Sequence, residues 1–161
     1  MQATEVANLR SKLIEPFVES VRSVLTTMAG TPTTVGKFHI KDGTSPGHDV
    51  SGIIGFSGGV TGSVVIGLSA DVAIKLVEAF AGVKLPLDSP DFADAVGELA
   101  NMIAGAAKKN MGLLANISIP TVVIGTNHQT AAPSGIPCVV IPCSTPHGNF
   151  AVEVNIKQAR T

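Results

Sequence analysis

The 161 residues include no tryptophan and no tyrosine, and six phenylalanines make up the whole aromatic content. Flat rings on which bases or sugars stack are therefore scarce, which argues against single-stranded nucleic-acid and carbohydrate binding. An excess of charge of one sign is lacking too. Eleven Lys plus Arg stand against 12 Asp plus Glu, a formal charge of -1, so nothing is set up to neutralise a phosphate backbone and no nucleic-acid partner is expected. Cysteine is limited to Cys138 and Cys143, in an apolar run. On a strand that spacing puts them on opposite faces, as small hydrophobes without metal-ligand spacing. His39, His48, His128 and His147 are scattered, with no HExxH and no helical pair, so no metal site is expected. The opening MQATEVANLRSKL has neither the basic flank nor the apolar core of a secretory signal, and the expected location is the cytoplasm.

Uninterrupted apolar spans are also missing. Residues 50–70 and 110–152 carry no Asp, Glu, Lys or Arg, but the first holds six glycines and the second five prolines and two histidines. Those residues break a membrane helix and suit short strands joined by turns. No membrane partner is expected. What is present is 45% apolar and only 14% charged residues, enough to bury a core in one domain over residues 1–161.

Periodicity supplies the elements. Phe17, Val21, Val24, Leu25 and Met28 recur at helical steps, which predicts an amphipathic helix over 16–29, with Pro16 in its first turn and Gly30 as its cap. Residues 4–14 are helix-compatible as well. Segments of strand character follow at 33–40, 50–56 and 60–68, the last two forming a hairpin about Ser57-Gly58-Gly59. A short helix is predicted over 71–81, capped by Ser69 and stopped by Gly82. A long one is predicted from Pro90 to about residue 115, with Ser89 as its N-cap and Asp91 and Asp94 at the positive end of its dipole. Three more strand-like segments, 120–126, 136–143 and 149–157, complete the chain. In the last, Phe150, Val152, Val154 and Ile156 alternate with Asn149, Ala151, Glu153 and Asn155, which predicts one buried face and one wet face. Helix plus three strands thus occurs twice around a short spacer helix. The expected fold is α+β: two long helices packed on one face of an antiparallel sheet, with an internal pseudo-repeat.

Chemistry points to the second long helix. Its core stripe is Val96, Leu99, Met102, Ile103 and Ala106, while Asp94, Glu98, Asn101, Gly105 and Lys108 fall along one seam on the other side. A polar seam is ordinarily a solvated face. Gly97 and Gly105, however, each cost a helix about 1 kcal/mol relative to alanine. Either a partner approaches this backbone closely, or the two long helices pack tightly on each other. Ser57-Gly58-Gly59 lies between strands and opens no helix, so it is no phosphate loop. Pro137 and Pro142 mark a sheet edge or bulge, and a free edge invites pairing with a second copy.

The run GELANMIAGAAKKNM resembles the signature helix of the CheX chemotaxis phosphatases, in the wider group with CheC and FliY, whose hallmark is Glu-x-x-Asn followed by a small residue. Here these are Glu98, Asn101 and Gly105. EPFVESVRSVLTTMAG is similar to the family's opening helix, and GFSGGVTGSVVIGLS and FAVEVNIK are similar to its hairpins. The resemblance spans roughly residues 15–156, leaving 1–14 as an extension to a family core of 15–157. It implies a phosphatase acting on the aspartyl phosphate of a phosphorylated CheY-like response regulator, which brings its own Mg²⁺ and lysine. Asn101 would hold the attacking water and Glu98 would pair with the receiver's lysine. Gly105 would leave room for the partner's surface, Asp94 and Lys108 would lie at the contact rim, the chain itself would bind no cofactor, and it would form a homodimer through its sheet. The first helix departs from relatives that carry a second pair: Glu15 stands with Val18 and Glu19 with Arg22, so one active site per chain is expected. The other readings are a non-catalytic module docking on receivers or the flagellar switch, and a structural dimerisation domain whose seam is merely wet.

Overall fold

The computed structural model describes residues 10–112 and 114–159. Helical periodicity becomes three helices: α1 (Glu15–Ala29), α2 (Ala70–Ala81) and α3 (Pro90–Asn110). Gly30 and Gly82 end the first two, and Ser69 and Ser89 cap the N-termini of α2 and α3 through their hydroxyls. A π-helical turn, Arg10–Ile14, leads into α1 and buries Leu13 and Ile14 in the core. Residues 4–9 of the helix-compatible opening lie outside the described residues. α3 is shorter than expected because Gly112, at φ +66°, turns the chain into the left-handed region and ends the helical path.

Eight described strands form one antiparallel sheet: β1 (Thr34–Val35), β2 (His39–Ile40), β3 (His48–Gly58), β4 (Val60–Leu68), β5 (Ala115–Ile117), β6 (Thr121–His128), β7 (Val139–Thr145) and β8 (Gly148–Gln158). Both hairpins, β3 with β4 and β7 with β8, form as expected. The segment 33–40 is not one strand, however. It breaks into β1 and β2, which flank Gly36 and pair successively with β7. The start of the second half breaks in the same way, β5 and β6 pairing in turn with β3. Pro142 explains the first break: its carbonyl accepts from Gly36, and a proline in β7 has no N–H to offer that side.

The pseudo-repeat therefore closes by exchange. The order is β1/β2, β7, β8, β4, β3, β5/β6, so the broken strand of each half flanks the central hairpin of the other half. The pairing of β4 with β8 lies at the centre. Alternate residues of β3, β4, β7 and β8, among them Val50, Ile54, Val64, Ile66, Ile141 and Val154, pack with the helices in one hydrophobic core.

The opposite face departs from expectation. Glu153 and Asn155, which the alternation assigns to a wet face, are 2% and 3% exposed. Two loops, around 41–47 and 129–138, fold across Glu153. Lys41 Nζ donates to Glu153 Oε1 at 2.7 Å and to the Thr130 carbonyl at 2.9 Å, and His48 Nε2 donates to Glu153 Oε2. Gln129 Nε2 reaches the Ser45 carbonyl at 3.2 Å, joining the loops directly. Beside them His128 Nδ1 donates to the Gly125 carbonyl at 2.7 Å, leaving Nε2 to accept from Ser51 Oγ at 2.7 Å. Asp49 accepts from the backbone N–H of Asn127 and of Ala70, which holds its carboxyl below the usual range and anchors the start of α2. Cys143 lies in the core, and Cys138, on the other face, approaches Glu153 Oε1 at 3.7 Å. Burial pushes both thiols up to about 12.

Burial alone would raise the Glu153 pKa. The hydrogen bonds from His48 and Lys41, and the charges behind them, outweigh it and hold this carboxyl at about 2. The unfolded chain takes up the same proton near pH 4.5, so this group's stabilisation is whole above that pH and disappears as the pH falls to about 2. Glu153→Gln is expected to lower stability at pH 7 by on the order of 3 kcal/mol, because Lys41 loses its buried counter-charge. Urea unfolding from pH 7 to 2 should then show a shallower fall below pH 4.5 in the variant. Parallel curves would refute this account of Glu153.

Candidate functional site

The seam sits on α3, and three contacts set how that helix is rolled. Phe92, Val96, Leu99, Ala100, Ile103, Ala104 and Ala107 are buried, so the buried stripe is centred slightly away from Met102 and Ala106, which are half-buried. Gly52 of β3 lies beneath: a Cβ there would stand 3.0 Å from the Ala100 Cβ and 3.3 Å from Val96, so the missing side chain lets the helix settle onto the sheet. On one flank the buried Ser20 hydroxyl of α1 donates to the Ile103 carbonyl. On the other, a Cβ at Gly97 would come within 3.1 Å of the Pro120 ring. Gly97 is thus a packing glycine, but its neighbour is the segment entering β6 and not the other long helix.

With α3 held on three sides, the fourth faces outward. Asp94, Glu98 and Asn101 are exposed, and Gly105 and Lys108 are half-buried. All five predicted residues share this one face. Neither Glu98 nor Asn101 makes a side-chain hydrogen bond or ion pair with any described residue. A Cβ at Gly105 would meet nothing within 4 Å among the described residues, so its absence serves no packing against them, unlike Gly97. Charge is graded along the seam, from Asp91, Asp94 and Glu98 near the positive end of the helix dipole to Lys108 and Lys109 in the last turn. Two open depressions flank it. One of about 480 Å³ lies beside Asp94 and Glu98, and one of about 600 Å³ beside Gly105 and Lys108.

A lone carboxylate and a lone amide on a convex helix are no hydrolytic apparatus. They have no nucleophile paired with a base, and among the described residues no group of three or more His, Cys, Asp or Glu is placed to hold a metal ion. Such a face performs chemistry only against a second surface that supplies the reacting group. Sequence reasoning located it and missed what holds it. Gly52 and Ser20 lie far from α3 along the chain, Pro120 follows its end by ten residues, and no periodicity marks any of them as its neighbour. Among the described residues, no helix is long and apolar enough to cross a membrane.

The chain is similar to proteins of one family. A family model described as "Chemotaxis phosphatase CheX" matches residues 50–144, a span that includes Glu98, Asn101 and Gly105. The CheY-P phosphatase CheX of Thermotoga maritima is 34% identical over 125 residues, 74% of this chain and 77% of that protein. The crystal structure of a chemotaxis protein CheX from Desulfovibrio desulfuricans superposes with a TM-score of 0.80 at 33% identity, covering 90% of this chain and 97% of that one. A CheX–CheY–BeF3–Mg²⁺ complex from Borrelia burgdorferi matches with a TM-score of 0.74 at 26% identity, covering 90% and 97%.

The two helical glycines should separate experimentally. Gly105→Ala is expected to stabilise the fold by about 0.5–1 kcal/mol, the helix-propensity difference, since its methyl group meets open space. Gly97→Ala should gain less or lose stability, because the same methyl presses on Pro120. Urea unfolding of both variants measures this, and a Gly105→Ala protein less stable than Gly97→Ala would show that the packing assignment is reversed.

Proposed function

This chain belongs to the CheX family of chemotaxis phosphatases, and on that premise we propose that it hydrolyses the aspartyl phosphate of a phosphorylated CheY-type response regulator. The observation that carries the reading is the pair Glu98 and Asn101, exposed on the outward face of α3 and without side-chain partners among the described residues. A relative bears the name CheY-P phosphatase, and another is found in complex with CheY, BeF3 and Mg²⁺.

Phosphoryl transfer asks a protein mainly for positioning and charge stabilisation. The receiver supplies the phosphorylated aspartate, its Mg²⁺ and a lysine. Asn101 enters that pocket and orients a water in line with the bond to be broken. An amide suits the task because it both donates and accepts, and it carries no negative charge for the phosphoryl oxygens to repel. The water oxygen forms a new bond to phosphorus as the aspartyl P–O bond breaks. The receiver's carboxylate is restored, and inorganic phosphate leaves as dihydrogen phosphate carrying both of the water's protons. Glu98, one turn earlier, pairs with the receiver's lysine and sets register more than affinity. Gly105 leaves room for the partner's surface, and Asp94 and Lys108 contact it at the rim. The chain itself binds no cofactor, and the first helix, without a Glu-x-x-Asn pair, adds no second site. A homodimer through a sheet edge and a cytoplasmic location belong to the same reading.

Asn101→Ala is expected to slow dephosphorylation of a receiver charged with acetyl phosphate by about 10²-fold or more, the usual cost of one oriented polar group at a reacting centre. Its affinity for the BeF3-activated receiver should change only a few-fold. Equal decay rates with wild type and variant would refute the catalytic role. Phosphorylation-dependent binding without faster decay, even for wild type, would make the chain a docking module.

A further inference from the structure

The depression of about 480 Å³ beside Glu98 is built by three elements that meet at the N-terminal half of α3. Its apolar surface comes from Met28 at the end of α1, Phe80 of α2, Val83 and Leu85 of the connection to α3, and Met102. Met28 and Val83 are 44% and 55% exposed, large apolar side chains left in water within one concavity. Asp91, Asp94 and Glu98 stand along the same wall, and among the described residues no lysine or arginine lines the groove. Asp94 and Glu98 are four apart on one helix face, where like charges destabilise each other. The groove therefore lacks two things that an incoming surface can provide, apolar cover and positive charge.

We infer that this groove seats an apolar side chain flanked by a lysine or arginine of the same receiver domain whose phosphate Asn101 addresses, and that it selects among receivers. The inference rests on the phosphatase reading above and deepens it. Continuity supports a single partner: the groove and the catalytic seam share Asp94 and Glu98, so a surface laid over Asn101 covers the groove's rim as well. Complementarity sets its chemistry, because three carboxylates without a cation attract a basic surface and reject an acidic one. Met28 and Met102 adapt their shape readily, which suits a groove that accepts related side chains. A contact remote from the phosphorus governs encounter and retention, so its effect belongs in KM and not in kcat.

The test uses a receiver that the wild-type protein dephosphorylates, charged with acetyl phosphate, and compares Val83→Lys, Val83→Ile and Asn101→Ala. Val83→Lys should raise KM at least tenfold with kcat within twofold, Val83→Ile should match wild type, and replacing Asp91 by Asn should weaken the salt dependence of KM. An unchanged KM in Val83→Lys, alongside loss of turnover in Asn101→Ala, overturns the groove and leaves the phosphatase reading intact. Turnover unaffected by Asn101→Ala overturns the reading itself. A change in the chain's own oligomeric state at unchanged KM assigns the groove to a second copy and overturns the inference. Val83 is exposed, so thermal melting of Val83→Lys should match wild type.

Discussion

The close approach of α3 to the sheet governs which of its residues reach solvent. At Gly52 the sheet offers no side chain, and Ala100 and Val96 occupy that space. Ser20 ties the Ile103 carbonyl to α1, and Pro120 stands against Gly97 on the opposite flank. These contacts fix the roll of a 21-residue helix, and one position of roll error would turn Asn101 by about 100° about the helix axis. Positioning catalysis tolerates little such error, so apolar contacts well below the surface determine whether a surface amide is useful.

The same economy appears in the sheet. Each half of the pseudo-repeat breaks its first strand and places the two pieces along the other half's hairpin. This exchange binds the halves into one sheet and flanks β3 and β7 with short, interrupted strands. On the face away from the helices, Glu153 anchors both covering loops through Lys41, His48 and Thr130. A carboxylate held this way costs desolvation and returns it through charge-assisted hydrogen bonds, so the arrangement holds only while every partner stays in place.

Legibility in the sequence followed the range of the interactions. Helix caps, the two hairpins and the alternation of the last strand are local, and Ser69, Ser89, Gly30 and Gly82 behave as their residue types predict. The end of α3 was less visible, because Lys108, Lys109 and Asn110 continue a helical pattern that only the left-handed Gly112 interrupts. The wet face assigned to Glu153 and Asn155 failed for a different reason: alternation reports that the two sides of a strand differ, not what covers each. Lys41 and His48 lie more than a hundred residues from Glu153 in sequence, and no local pattern connects them.

The sequence alone determined the class of fold, the order of its elements and the residues of the seam, because side-chain periodicity and helical spacing are properties of consecutive residues. Only the tertiary structure decided that the seam faces outward, that Gly97 packs while Gly105 does not, and that Met28, Val83 and Asp91 gather beside Glu98 in one groove. Those outcomes depend on which distant surfaces meet, and that is set by close packing of the whole core rather than by any segment of the chain.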